Sequence, residues 1–115
     1  MKEFMVVIRG SFQTWNKNSP EQMQQIIQKY IDWSNELVAQ DRMRGGHGLS
    51  DKSVKIEKVG NELITTDGPY AESKEALTGY FIIAAKDMED IQNVVKTGCP
   101  AFSHGEFVEI IELGE

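Results

Sequence analysis

Residues 65–85 read Thr65-Thr66-Asp67-Gly68-Pro69-Tyr70-Ala71-Glu72-Ser73-Lys74-Glu75-Ala76-Leu77-Thr78-Gly79-Tyr80-Phe81-Ile82-Ile83-Ala84-Ala85. The first half is polar and centres on Asp67-Gly68-Pro69-Tyr70, residue types that favour turns. The second half, Tyr80 to Ala85, is an unbroken apolar run of strand length. Such a run predicts a strand buried on both faces. The stretch therefore delivers a polar loop to the end of a core strand, which is where a ligand pocket can form.

Working outward, Phe4 to Ile8 is a second apolar run, ended by Arg9-Gly10, and predicts another central strand. Ser11 to Asn18 is polar and reads as a loop carrying Trp15, which either stacks on a ligand or folds back as a lid on the core. Ser19-Pro20-Glu21-Gln22 predicts a helix start: Ser19 caps, Pro20 suits the first turn, and Gln22 completes a capping box. Met23, Ile26, Ile27, Tyr30, Ile31, Leu37 and Val38 recur at helical spacing, and the helix is expected to end near Gln40-Asp41. Three glycines among Gly45-Gly46-His47-Gly48 oppose a helix and predict a strand that bulges or meets another backbone closely. Ser53 to Val59 alternates apolar and charged residues, Gly60-Asn61 forms a turn pair, and Glu62 to Thr66 returns as a hairpin. Ala71 to Leu77 reads as a helical turn. Asp87 caps a second helix that Gly98 and Pro100 end, and Phe107 to Leu113 is a last strand.

Without the hairpin, the order is βαββαβ, the ferredoxin-like pattern. The expectation is a single α+β domain over residues 1–115, with the hairpin inserted between the second and third core strands. Phe4–Ile8 and Tyr80–Ala85 place apolar side chains on both faces of the sheet, and two helices cover only one. A second copy is the simplest cover for the other. The sequence thus predicts a homodimer through the sheet face, a dimeric α+β barrel.

Composition narrows the function classes. The net charge is −6 and the Lys and Arg residues are scattered, so no basic surface for nucleic acid is expected. Arg9 interrupts the first apolar run, which is too short for a signal-peptide core or a membrane span; a cytoplasmic location is the default. A single cysteine excludes an intramolecular disulfide. Two histidines far apart give no zinc-binding spacing, and neither a metal nor a cofactor is expected.

Thr66-Asp67-Gly68-Pro69-Tyr70-Ala71-Glu72-Ser73-Lys74-Glu75, followed by Gly79-Tyr80 and Cys99-Pro100, resembles the signature of the DGPF group of YCII-related proteins, with Tyr70 where Phe is usual. The resemblance covers nearly the whole chain. It implies the same dimeric barrel, a pocket aspartate working with a histidine, and a suspected link to sigma-factor regulation. Related proteins often carry the pocket histidine on the first helix; here Ile26 occupies that position.

Asp67 is the first candidate for catalysis, as a general base at a pocket mouth, against the plainer role of shaping its turn. His47, in the glycine run, is its candidate partner, against an ordinary rim histidine. His104 carries less weight. Arg9, Tyr70 and Tyr80 are candidate ligand-binding residues, Arg9 having a surface ion pair as its competing role. Cys99, at a helix C-terminus, reads as a buried small residue. Two functions stay open. One is a ligand-binding or regulatory accessory protein with a small-molecule pocket. The other is an enzyme using Asp67, with His47, for acid–base lyase, isomerase or hydrolase chemistry.

Overall fold

A computed structural model of the chain describes residues 1–68 and 75–114. Strand β1 (Lys2–Gly10) is followed by a short helix α1 (Phe12–Trp15) and the long helix α2 (Pro20–Ala39). Strand β2 (Met43–Gly48) precedes β3 (Ser53–Val59) and β4 (Glu62–Gly68). Then come β5 (Ala76–Ala85), α3 (Met88–Gly98), a 3-10 turn (Pro100–His104) and β6 (Phe107–Glu112). Leaving aside the short α1 and the 3-10 turn, the order is β-α-β-β-β-α-β. The principal sheet runs β2-β5-β1-β6, and β3 and β4 form a separate pair. Every pairing is antiparallel. The two apolar runs, β1 and β5, lie side by side at the centre of the sheet, as continuous apolar character requires.

The helix signals act as their chemistry dictates. Ser19 accepts from the Gln22 backbone N–H while the Gln22 side chain accepts from Ser19, a complete capping box. At the other end Asp41 adopts a left-handed φ of 57°. The Arg42 N–H then reaches Leu37 O and the Asp41 N–H reaches Val38 O, so the last carbonyls of α2 are satisfied. Asp87 caps α3 by accepting from the Asp90 N–H at 2.8 Å.

Both long helices cover one face of the sheet. Phe4, Val6 and Ile8 of β1 and Ile83 and Ala85 of β5 meet Trp33 and Leu37 of α2 and Ile91 and Val95 of α3. Phe81 stacks on Tyr30 at 6.0 Å between ring centroids and takes the edge of Trp33 at 5.2 Å. Alternation sends Met5, Val7, Tyr80 and Ile82 to the opposite face. That face also carries Ile111, which is exposed.

Three local readings are corrected. Ser11 to Asn18 is not all loop: Ser11 accepts from the Thr14 N–H and starts α1, which buries Phe12. Strand β5 begins at Ala76, four residues before the apolar run, because pairing with Gly10 and Arg9 of β1 extends it. Ala76 and Leu77 are therefore in a strand, and Ala71 to Lys74 of the expected helical turn lie outside the described residues. Finally, Asp67 and Gly68 close β4 rather than stand in a loop, since Asp67 pairs with Val54 and Gly68 with Ser53.

The hairpin turns at Gly60-Asn61, with Val59 opposite Glu62. Gly60 takes φ 63°, which a two-residue turn demands of its first central residue. Val54, Ile56, Val59 and Leu63 are all exposed, Leu63 to 75%. The radius of gyration, 15.9 Å, exceeds the roughly 13 Å expected of a chain this long, consistent with a projecting hairpin.

Candidate functional site

The chemistry concentrates where β1, β5, α2 and the start of β6 meet. Between Ile8 and Arg9 the β1–β5 register shifts: Ile8 faces Gly79 and Arg9 faces Leu77, so Thr78 is the extra residue of a bulge. Bulges re-aim side chains. The Thr78 hydroxyl lies 2.5 Å from Glu106 Oε2 and 3.3 Å from Ile8 O. It has one proton, and the carboxylate, being shorter and charge-assisted, takes it. From α2, the Tyr30 hydroxyl donates to Glu106 Oε1 at 3.2 Å.

Two glycines make the placement of Glu106 possible. Gly105 takes φ 74°, turning the chain out of the 3-10 segment. Gly10 leaves room alongside: a Cβ there would lie 2.9 Å from Glu106 Cγ. Burial pushes the Glu106 carboxyl above its ordinary range, while the two hydroxyl donors pull it back. Burial, then the nearby Glu106 charge, pushes the Tyr30 phenol far up, so it stays protonated and a donor.

Glu106 opens onto two cavities. One, of about 320 Å³, is bounded by Ser11, Trp15, Ile26 and His104. Burial and then Lys29 hold the His104 imidazole below its usual value. The other, of about 380 Å³, runs between α2 and the edge of the sheet, past Phe12, Trp15, Ile31, Tyr30 and Phe81 to Gly46. Its size and mostly apolar wall suit a small molecule. Gly46 shapes this wall, since a Cβ there would sit 2.7 Å from Phe81 Cδ1 and 2.9 Å from Tyr80 O. The neighbouring Gly45 faces open space.

The sequence-picked residues are spread over several places. Asp67 is exposed on the hairpin and borders a surface concavity with Asp51 and Lys52. His47 sits at the sheet edge, opposite Tyr80. Its Nδ1 lies 2.6 Å from Gly48 O, which assigns the proton to that nitrogen. Among the described residues no hydrogen bond joins Asp67 to His47. Arg9 bonds Glu109 at 2.5 Å and the Glu75 carbonyl at 3.0 Å, on the face opposite the helices. Tyr80 shares that face, beside Val7. Tyr70 lies outside the described residues. Cys99 is buried, and burial before any other cause pushes its thiol up to about 11, unsuited to a nucleophile.

A family model for the YCII-related domain matches residues 4–113. The chain belongs to the YCII-related domain family. No curated protein matches it. In this YCII-related protein, Ile26 is buried and lines the smaller cavity with His104 and Glu106. Among the described residues no group of three or more His, Cys, Asp or Glu side chains is placed to hold a metal ion. None of their helices is long and apolar enough to cross a membrane.

Glu106 was missed in the sequence because it stands in a short polar stretch after Gly105, with no motif around it. One signal was available. Tyr30 lies on the apolar stripe of α2, and a phenol at such a position needs a buried partner.

Proposed function

We propose that this YCII-related protein is a ligand-binding or regulatory accessory protein that holds a small, largely apolar molecule between α2 and the sheet edge. The observation that carries this reading is the cavity of about 380 Å³, whose carboxylate, Glu106, is already held by Tyr30 and Thr78. A fixed polar group in an apolar wall orients a ligand without needing to exchange protons with it. The working form is a homodimer through the sheet face that the helices leave uncovered. Met5, Tyr80 and Ile82, each half-buried, and the exposed Ile111 supply the open part of that face, and burying it against a second copy removes apolar surface from water.

A neutral fluorescent probe, N-phenyl-1-naphthylamine, tests the cavity. Ile31 is exposed on α2 and lines it, so Ile31→Trp blocks it without touching the core. Saturable binding by the parent protein, lost in a folded Ile31→Trp variant, is the expected result. Equal binding by both, or by neither, overturns the reading.

The second reading is acid–base enzyme chemistry through Asp67 with His47. What supports it is the aspartate of the Thr66–Glu75 signature. Its test is the double-mutant cycle described in the Discussion.

A further inference from the structure

We infer that the cavity selects an organic cation, an apolar body ending in an ammonium group, with Glu106 as its counter-charge. This rests on the ligand-binding reading above and names the ligand class.

The argument comes from the wall. Phe12, Trp15, Tyr30 and Phe81 are aromatic, and among the described residues no Lys or Arg lines the cavity. Aromatic faces attract cations through their negative quadrupole, more strongly where water is excluded. Among the described residues the one carboxylate in the wall is Glu106. An ionised carboxylate accepts at about four lone-pair sites. Tyr30 takes one on Oε1 and Thr78 one on Oε2, so acceptor capacity remains on both oxygens. An ammonium supplies donors and charge together. A ligand carboxylate or phosphate would meet Glu106 as a like charge, with no Lys or Arg among the described lining residues to offset it.

The placement is also rigid. The Thr78 bulge, the Tyr30 hydroxyl and the gap at Gly10 hold the carboxylate in one position before any ligand arrives. Preorganised groups bind charge better than groups that must first be ordered. His47, the remaining titratable group at the wall, already commits its Nδ1 proton to Gly48 O.

Three probes of one shape test this: 2-phenylethylamine, 2-phenylethanol and 3-phenylpropanoate, titrated near neutral pH and followed by protein NMR. The amine is expected to bind at least about tenfold more tightly than the alcohol, the step that one charge-assisted contact supplies, and the carboxylate weakest. In Glu106→Gln the amine and the alcohol are expected to bind alike. The shift map supplies a readout free of any variant: the amine is expected to move Tyr30, Thr78 and Glu106 together. An alcohol bound as tightly as the amine, or a preference that survives in Glu106→Gln, overturns the cation assignment and leaves the cavity standing. Shifts confined to the outer surface do the same. Failure of all three probes, with the neutral dye also unbound, overturns the cavity reading itself.

Discussion

Thr78 and Glu106 stand 28 positions apart, yet the Thr78 hydroxyl donates to Glu106 Oε2 at 2.5 Å. The contact exists because a bulge in β5 leaves Thr78 without a pairing partner on β1 and turns it toward the residue just before β6. Added to the Tyr30 bond, it fixes a carboxylate partly out of water at the end of an apolar cavity.

This carboxylate links stability to pH. Burial raises its folded value above the ordinary 4.5. A raised carboxyl contributes stability that is full below the unfolded value and is lost as pH rises through the folded value. The stability difference between the parent and Glu106→Gln is therefore expected to move against the parent as pH rises from about 4.5. Urea denaturation across that range measures it. A difference that stays constant with pH would show that Glu106 is solvated as in the unfolded chain.

The two adjacent glycines of β2 are expected to behave differently. Alanine at Gly46 collides with the Phe81 ring and the Tyr80 carbonyl, one of them backbone that cannot swing aside. It is expected to cost about 1–3 kcal/mol, the scale of overpacking. Alanine at Gly45 meets nothing and is expected to stay within about 0.5 kcal/mol. Equal costs in chemical denaturation would remove the close-approach explanation.

Ile82 and Ile83 separate the fold from the proposed homodimer. Ile83 is 0% exposed among the helices, and lysine there buries an unpaired charge. Ile83→Lys is expected to leave little folded protein by circular dichroism. Ile82 lies on the opposite face, so Ile82→Lys is expected to keep the fold and shift light scattering from dimer to monomer. A parent protein that is monomeric at micromolar concentration ends the dimer proposal.

Asp67→Asn and His47→Gln form a cycle. Asp67 is exposed, so Asp67→Asn is expected to change stability by less than about 0.5 kcal/mol. In ligand binding the two changes are expected to be additive, because the residues lie on different sheets with no described bond between them. Strong coupling in function without coupling in stability would instead establish a working His–Asp pair.

The order of the major elements was legible in the residues. Alternation and unbroken apolar runs report burial, and caps such as Ser19, Gln22 and Asp87 act within a single turn of chain. Their signals are local, so they survive without knowledge of the fold. The turn at Gly60-Asn61 and the need for a small residue in the Gly45-Gly46 run were readable for the same reason. Which of that pair needs it was not, since the colliding atoms belong to β5.

The site depended on tertiary structure. Asp67 and His47 looked chemical because their neighbours are unusual, but β4 and β2 carry them to separate sheets. Tyr30 and Glu106, 76 positions apart, have ordinary neighbours and became a site only when α2 crossed the sheet above the start of β6. Hydrogen bonding and desolvation act through space over a few ångströms, and a linear pattern does not record that distance. The amino-acid sequence by itself determined the family, the order of the major elements and the apolar faces. Only the folding of those faces onto one another decided which carboxylate would lose its water.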